Sequence, residues 1–378
     1  MITAQELAQR VIPFSSLRSS TDAFIDYRIP GCGPKYNYAL IGPGVSQNPN
    51  QPVSLREHHG FQVGGVSMPH GVVNPPHMHF SCEVFLCTRG RWQLHWGFNP
   101  EPSMAEFGEG DICSVPTWVY RGFKNVGPDD GFLFTALGGD DTGGILWGPT
   151  TLEAAAQQGV HLTEDYQIID EQLGQRLTPA MKRLQPMTTL EIAALRVWPP
   201  QEMSRRIVRF ADLHWSRRAL LDSALPGCGA SLAPVIGLGI SQERDHVAPV
   251  ANAHGLSIEW LKIPARGQVS RHLLHDKQVL IVKAGVLEVA VQTQDGERRH
   301  TLRGAAEGWD SLSLPAEHWR SVHNGSDGEA LALLLTQGDH RKTLVWSDAV
   351  LQAAAAQDLA LDISGCVAQK QFIDRSQR

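Results

Sequence analysis

PPHMHFSCEVFLCTRG, residues 75–90, decides how this chain is read. His77 and His79 stand two residues apart. On a β-strand that spacing turns both imidazoles to one face. Glu83, Phe85 and Cys87 keep the same odd-numbered parity. If the pleat runs unbroken, two imidazoles and a carboxylate converge on one interior. Two His and one carboxylate leave open positions on a bound metal, a donor set suited to non-haem Fe(II). The alternative is a buried trio in which Glu83 simply hydrogen-bonds the two rings.

Outside this stretch the sequence repeats itself. IPGCGPKYNYALIGPGVSQ at 29–47 returns as LPGCGASLAPVIGLGISQ at 225–242. Gly90 matches Gly285 at an offset of 195, and Pro116, Asn125 and Trp147 match Pro315, Asn324 and Trp346 at 199. TLEAAAQ at 151–157 echoes VLQAAAA at 350–356. A nearly constant shift over so long a span means two diverged copies of one module. Each copy offers short apolar or alternating runs bounded by Gly, Pro, Asn or Asp, such as FQVGGVSM, RWQLHWG and GFLFTAL, which read as strands. Each closes with an Ala-rich segment of high helix propensity. The expectation is an all-β protein: an N-terminal barrel over 1–162, a partly helical connector over 163–205 and a C-terminal barrel with a terminal helix over 206–378. The last three residues, 376–378, are expected to fray.

The spacing within residues 71–125 resembles the cupin superfamily. The first cupin motif is met at Gly71, His77, His79, Glu83 and Gly90 with every gap in place. The second is met at Gly110, Pro116 and Asn125, with Trp118 in place of Gly and Arg121 in place of His. With the repeat, the chain resembles a bicupin. That resemblance implies two double-stranded β-helix, jelly-roll barrels. It implies one divalent metal held by His77, His79 and Glu83 in the first barrel. Fe(II) is the expected ion; Mn, Zn, Ni and Cu share these ligands. Arginine stays protonated and is no ligand. In the second barrel only His272 remains of the four ligand positions; Leu274, Gln278 and Arg320 replace the others, so no metal is expected there.

The functional expectation is a metal-dependent oxidoreductase, an Fe(II) cupin dioxygenase acting on a small anionic organic substrate, aromatic acids included. Two alternatives stand beside it: a metal-dependent isomerase or decarboxylase of a small acid or sugar, and a non-catalytic ligand-binding bicupin. Glu83 and Arg121 are the candidate catalytic residues. Arg121 could clamp a substrate carboxylate, or pair structurally with Glu83. Trp118, Tyr120, Phe85 and Trp92 are candidates to line an aromatic substrate pocket, or are core. His70 and His95 are candidate extra ligands or proton shuttles. His58 and His59 read as a solvent-facing loop. Cys82, Cys87 and Cys113 lie near the site in sequence, with buried packing as their default.

The bulk composition narrows the classes further. The chain has 378 residues, 42% hydrophobic and 19% charged, with a net charge of −6. That balance argues against a general nucleic-acid binder. Six scattered cysteines form no CxxC pair, which fits free thiols in a reducing compartment. The start has no basic-then-apolar leader pattern, and no apolar run approaches the roughly 20 residues of a membrane span. A cytoplasmic protein is expected, a homodimer by family habit, with a small-molecule substrate and neither nucleic acid nor membrane as partner.

Overall fold

The structure is a computed structural model that describes residues 1–98 and 103–376. Residues 377 and 378, where fraying is expected, lie outside the described residues. The chain is all-β with short helices and folds as two compact units, Arg18–Ala211 and Met1–Leu17 with Asp212–Arg378. The first seventeen residues thus belong to the C-terminal unit, where the sequence expectation put them with the N-terminal barrel. The cause is a strand pairing: Val11–Ile12 adds to Ser311–Leu314, in register Val11 with Leu312. Likewise Ile207–Val208 adds to Ile112–Val115, so the N-terminal unit extends past 205.

In the unit Arg18–Ala211 two sheets form the barrel. Glu83–Arg89 lies between Ile112–Val115 and Gly131–Gly138 in one sheet. Val73–His79 lies between Ile145–Trp147 and Arg121–Asn125 in the other. Arg91–Trp96 shows how the sequence specifies this: Trp92, Leu94 and Trp96 are buried and alternate with more exposed Arg91, Gln93 and His95. Trp92 packs with Phe85, Phe107 and Phe123 in one apolar cluster. Phe123 and Val66 of that cluster also line the cavity on which His77, His79 and Glu83 open.

Asn125 explains the last position of the second motif. Its Nδ2 donates to the carbonyls of Met68 and Asp129, each at 2.8 Å, and its Oδ1 accepts from Gly127 N at 2.9 Å. Asn324 repeats this with Ile263, Gly328 and Ser326. The motif asparagine is a turn clamp. The Ser-Gln pair that ends the repeated glycine segment is a latch. Gln47 Oε1 accepts from Ile25 N, and Gln242 Oε1 accepts from Leu221 N, both at 3.0 Å.

The C-terminal unit has one eleven-stranded sheet. Its strand Gln278–Thr293 runs sixteen residues through Gly285, where the N-terminal unit divides the matching stretch into Glu83–Arg89 and Arg91–Trp96 around Gly90. Both glycines sit at positive φ, 85° and 95°, which a side chain would strain. The Ala-rich segments are helices Pro149–Gln157 and Asp348–Ala355, and the connector carries two short helices, Thr189–Ala193 and Pro200–Ser204. Among the described residues no helix is long and apolar enough to cross a membrane.

Candidate metal centre

His77 and His79 both come from Val73–His79, and both are buried. Glu83 does not continue their strand. Residues 80–82 break the pleat, and Glu83 opens Glu83–Arg89 in the opposite sheet. The unbroken run expected from parity is therefore corrected. The three side chains meet because the chain crosses the barrel between His79 and Glu83. Glu83 Oε2 lies 3.4 Å from His79 Nε2 and 4.0 Å from His77 Nε2. The candidate donor atoms of all three lie within 4.8 Å of one another. Donors bonded to one ion at about 2.0–2.2 Å stand roughly 3–4 Å apart, so the group matches a single-ion site.

The rings are set for ligation. His77 Nδ1 is 2.9 Å from the Pro75 carbonyl, which it can donate to, leaving the Nε2 lone pair toward Glu83. His79 Nδ1 lies 3.4 Å from the Gly144 carbonyl. Burial, the neighbouring His79 and the Arg121 charge hold His77 well below the ordinary histidine range. Burial likewise lowers His79, with Arg121 adding to it against the pull of Glu83. Burial alone would raise Glu83, but His79, Arg121 and His77 outweigh it and bring it down to about 2. Neutral imidazoles beside an ionised carboxylate are the protonation states a cation needs.

Arg121 reaches the same carboxylate. Its register partner is His77, and its Nε lies 3.2 Å from Glu83 Oε2. The approach is a charge contact without hydrogen-bond alignment: Glu83 Oε2 and Arg121 Nε and Nη2 are buried with no hydrogen-bond partner. Arg121 Nη1 donates to Val119 O at 3.1 Å. Between the two imidazoles and this oxygen, which accepts no aligned hydrogen bond, a cation fits.

A cavity of about 80 Å³ opens on His77, His79 and Glu83. At about 10–15 Å³ per water it holds on the order of six water-sized groups. Arg121 is not among its lining residues, and neither are the four aromatic candidates. Phe85 and Trp92 are fully buried in the apolar cluster. Trp118 is 46% exposed, at φ 62°, against Phe80. Tyr120 and Trp118 line a separate depression beside Thr189 and Trp198. The expected aromatic pocket of these residues is thus replaced by core packing and an outer surface. His70 Nδ1 meets Gly127 O at 2.5 Å and His95 Nε2 meets Gln93 Oε1 at 2.8 Å; neither joins the metal group. His59 is fully buried, not solvent-facing, with Nδ1 at 2.7 Å from Glu57 O. Cys87 and Cys113 are buried, and burial pushes the Cys113 thiol up to about 12, far from a thiolate ligand.

Sequence reasoning missed Trp147 and Asn74, which both line the cavity. Trp147 packs on the His77 ring at 5.5 Å between centroids. Asn74 Nδ2 lies 3.1 Å from His77 Nδ1, and its Oδ1 accepts from Lys35 Nζ at 2.5 Å. The repeat could have marked Trp147, since Trp346 matches it.

In the second barrel His272 Nδ1 meets Ser270 O at 2.8 Å, the counterpart of the His77 contact. Gln278 donates to Thr336 Oγ1 at 2.9 Å, Leu274 is core, and Arg320 Nε donates to His318 O at 3.1 Å. Burial and the Arg320 charge lower His272 to about 4.

No protein-family model matches the chain, and no curated protein matches it in sequence. Solved structures do match it. Oxalate decarboxylase from Lactobacillus farciminis, in complex with formate, superposes with a TM-score of 0.54 at 12% identity, over 90% of this chain and 89% of that one. Oxalate decarboxylase from Bacillus subtilis gives 0.53 at 12% identity, over 95% and 87%. Vicilin from Capsicum annuum gives 0.53 at 10% identity, over 89% and 88%. The chain has the bicupin fold. At these identities the likeness is one of fold. The chain carries its His-His-Glu group in the N-terminal barrel, with Arg121 and Arg320 at the matching position of the two barrels.

Proposed function

We propose that the N-terminal barrel is a divalent-metal enzyme centre. His77, His79 and Glu83 hold one cation, and the adjoining cavity takes a small organic substrate. The observation that carries this reading is the convergence of Glu83 Oε2, buried without an aligned hydrogen bond, with two imidazole nitrogens at 3.4 and 4.0 Å. The cation, when bound, supplies Lewis acidity and open coordination positions beside three protein ligands. The protein's part is positioning. The Pro75 carbonyl fixes the His77 ring, and His79 together with Arg121 favours the ionised Glu83. The small cavity limits the water around a substrate.

The finer assignment is an Fe(II) dioxygenase, because two imidazoles and one carboxylate are the donor set of that chemistry. A redox-neutral manganese reaction such as decarboxylation is the second reading. The fold likeness to the oxalate decarboxylases supports it, one structure of which concerns Mn(II) centres. Oxygen-electrode traces of iron- and manganese-loaded protein with a panel of small carboxylic acids separate the two. Oxygen uptake with iron supports the dioxygenase. Carbon dioxide release without net oxygen uptake supports the decarboxylase. Protein that takes up no metal overturns both and leaves a binding bicupin, in which Arg121 alone balances Glu83.

A further inference from the structure

The internal repeat holds, in the second barrel, a filled copy of a place that is open in the first. The loops at 42–47 and 237–242 are tied down alike. Gly42 N and Gly237 N donate to the carbonyls of Leu55 and Val250, and Gln47 N and Gln242 N to those of Ala23 and Ala219. Beside the second loop Glu259 Oε1 accepts from Ile240 N at 2.9 Å, and a Cβ added to Gly239 would collide with that oxygen. Gly64 stands at the Glu259 position in the first barrel: it pairs with Ala39 and Thr135 as Glu259 pairs with Pro234 and Leu334. A Cβ added to Gly44, the match of Gly239, meets no atom within 4 Å. Gln62 Oε1 accepts from Gly44 N at 2.6 Å, one residue early, so Val45 N, the match of Ile240 N, has no acceptor among the described residues. Gly44, Val45, Gly64 and Thr135 all line the cavity on which His77, His79 and Glu83 open. The Glu259 carboxyl therefore marks, through the repeat, a part of that cavity.

Most polar side chains of the wall are spent on the wall. Gln62 ties Gly44 N to Asp140 O, Gln51 Nε2 donates to Asn37 O, Asn37 Nδ2 to Ser20 O and Ser46 Oγ to Ala23 O, and Asn74 lies between Lys35 and His77. Thr135 is the exception. Its Oγ1 has no partner among the described residues, the side chain is part-buried, and the hydroxyl stands 3.0 Å from the point a Gly64 Cβ would occupy. It flanks the root of the course that the Glu259 side chain takes in the second barrel, and Val45 N–H stands at the tip. No Lys or Arg lines the cavity or the wider cleft outside it, where Asp22, Asp140 and Asp141 stand, so the wall offers a charged oxygen no counter-charge. Glu259 itself is raised by burial to about 8 and fills its place uncharged at neutral pH. An N–H donor and a free hydroxyl without a cation suit ligand hydroxyls, which both accept and donate.

We propose that the N-terminal barrel takes a small neutral polyol, one hydroxyl of which accepts from Val45 N–H and another of which pairs with Thr135 Oγ1, along the face that Gly64 leaves bare. Room for on the order of six non-hydrogen atoms corresponds to a three-carbon chain with its hydroxyls. This rests on the reading of the cavity as the substrate site given above.

Glycerol, with propanoate as a charged probe of similar length, tests this through backbone amide resonances. The titrations are run on the chelator-treated protein and again after loading with Zn(II), which keeps resonances sharp, and ion uptake is measured separately by calorimetry. Glycerol is expected to move the Val45 amide saturably in both forms and to leave the Ile240 amide, already held by Glu259, in place. Propanoate is expected to bind the chelator-treated protein at least fivefold more weakly than glycerol. Thr135→Val is expected to weaken glycerol about fivefold. Gly64→Glu, which sets a tethered carboxyl on the same course, is expected to abolish the glycerol shift with Zn(II) uptake within twofold of wild type. Tyr38 O lies 3.1 Å from the new Cβ, and should that variant misfold, the wild-type and Thr135→Val titrations decide. A still Val45 amide, equal binding of the two probes, or an unaltered glycerol affinity in folded Thr135→Val overturns this proposal alone. Absence of ion uptake overturns the metal reading, and the titrations of the chelator-treated protein then decide this one.

Discussion

Arg121 Nε lies 3.2 Å from Glu83 Oε2, in a barrel interior where both side chains are buried. The guanidinium stands at the position where the cupin pattern has a fourth metal ligand. It therefore competes with a cation for the carboxylate that the cation needs. Removing it has two opposite consequences. Metal-free Arg121→Ala leaves a buried carboxylate without its counter-charge and is expected to lose about 3 kcal/mol of stability, read by denaturant unfolding. The same variant is expected to bind Mn(II) or Fe(II) about tenfold more tightly in calorimetry, and Arg121→His more tightly still. Weaker metal binding in folded Arg121→Ala would show that the arginine supports the site.

Phe85 separates core from cavity. Its parity matches that of Glu83, but its ring packs with Phe107 and Phe123 in the apolar cluster and does not line the cavity. Phe85→Ala is expected to cost about 3–5 kcal/mol in unfolding free energy. Metal affinity of the folded fraction should stay within twofold of wild type.

Glu259 gives a pH dependence. It stands where the first barrel has Gly64, and its Oε1 accepts from Ile240 N at 2.9 Å. Burial raises Glu259 from 4.5 to about 8, so the folded state holds a proton that the unfolded state releases. Its contribution is complete below about pH 4.5 and declines as pH rises toward 8, by on the order of 1 kcal/mol per unit. Glu259→Gln should remove that decline. Thermal unfolding between pH 5 and pH 9 measures it, and parallel curves for variant and wild type would refute the assignment.

The two tryptophans of the repeat should respond differently. Trp346→Phe deletes a buried hydrogen bond to Gln242 and is expected to cost about 1 kcal/mol more than Trp147→Phe, whose N–H has no internal partner. Equal losses in denaturant unfolding would mean that Trp147 is paired within the protein.

How much of this was legible follows from what a sequence encodes. Fixed gaps from Gly71 to Gly90 carried the fold and the ligand trio, because turns and register tie those positions together. Parity told which face a residue takes but not how deep it lies. It therefore grouped Phe85 with Glu83, although one is packed and the other lines the cavity. The move of Glu83 to the opposite sheet depends on the turn at 80–82, which alternation does not show. Trp118 adopts φ 62° and turns outward, a backbone choice its residue type does not announce. Trp147 lies 64 residues beyond Glu83, and only the pairing of Ile145–Trp147 with His77–His79 brings it to the site.

The central claim is that His77, His79 and Glu83 hold one cation, and calorimetric titration of untagged, chelator-treated protein with Mn(II) or Fe(II) tests it most directly. The account predicts about one ion per chain in the wild type. It predicts a loss of at least a hundredfold in affinity for His79→Ala and for Glu83→Gln, and no change for His272→Ala. Wild-type protein that takes up no ion, or uptake that survives both His79→Ala and Glu83→Gln, would contradict it.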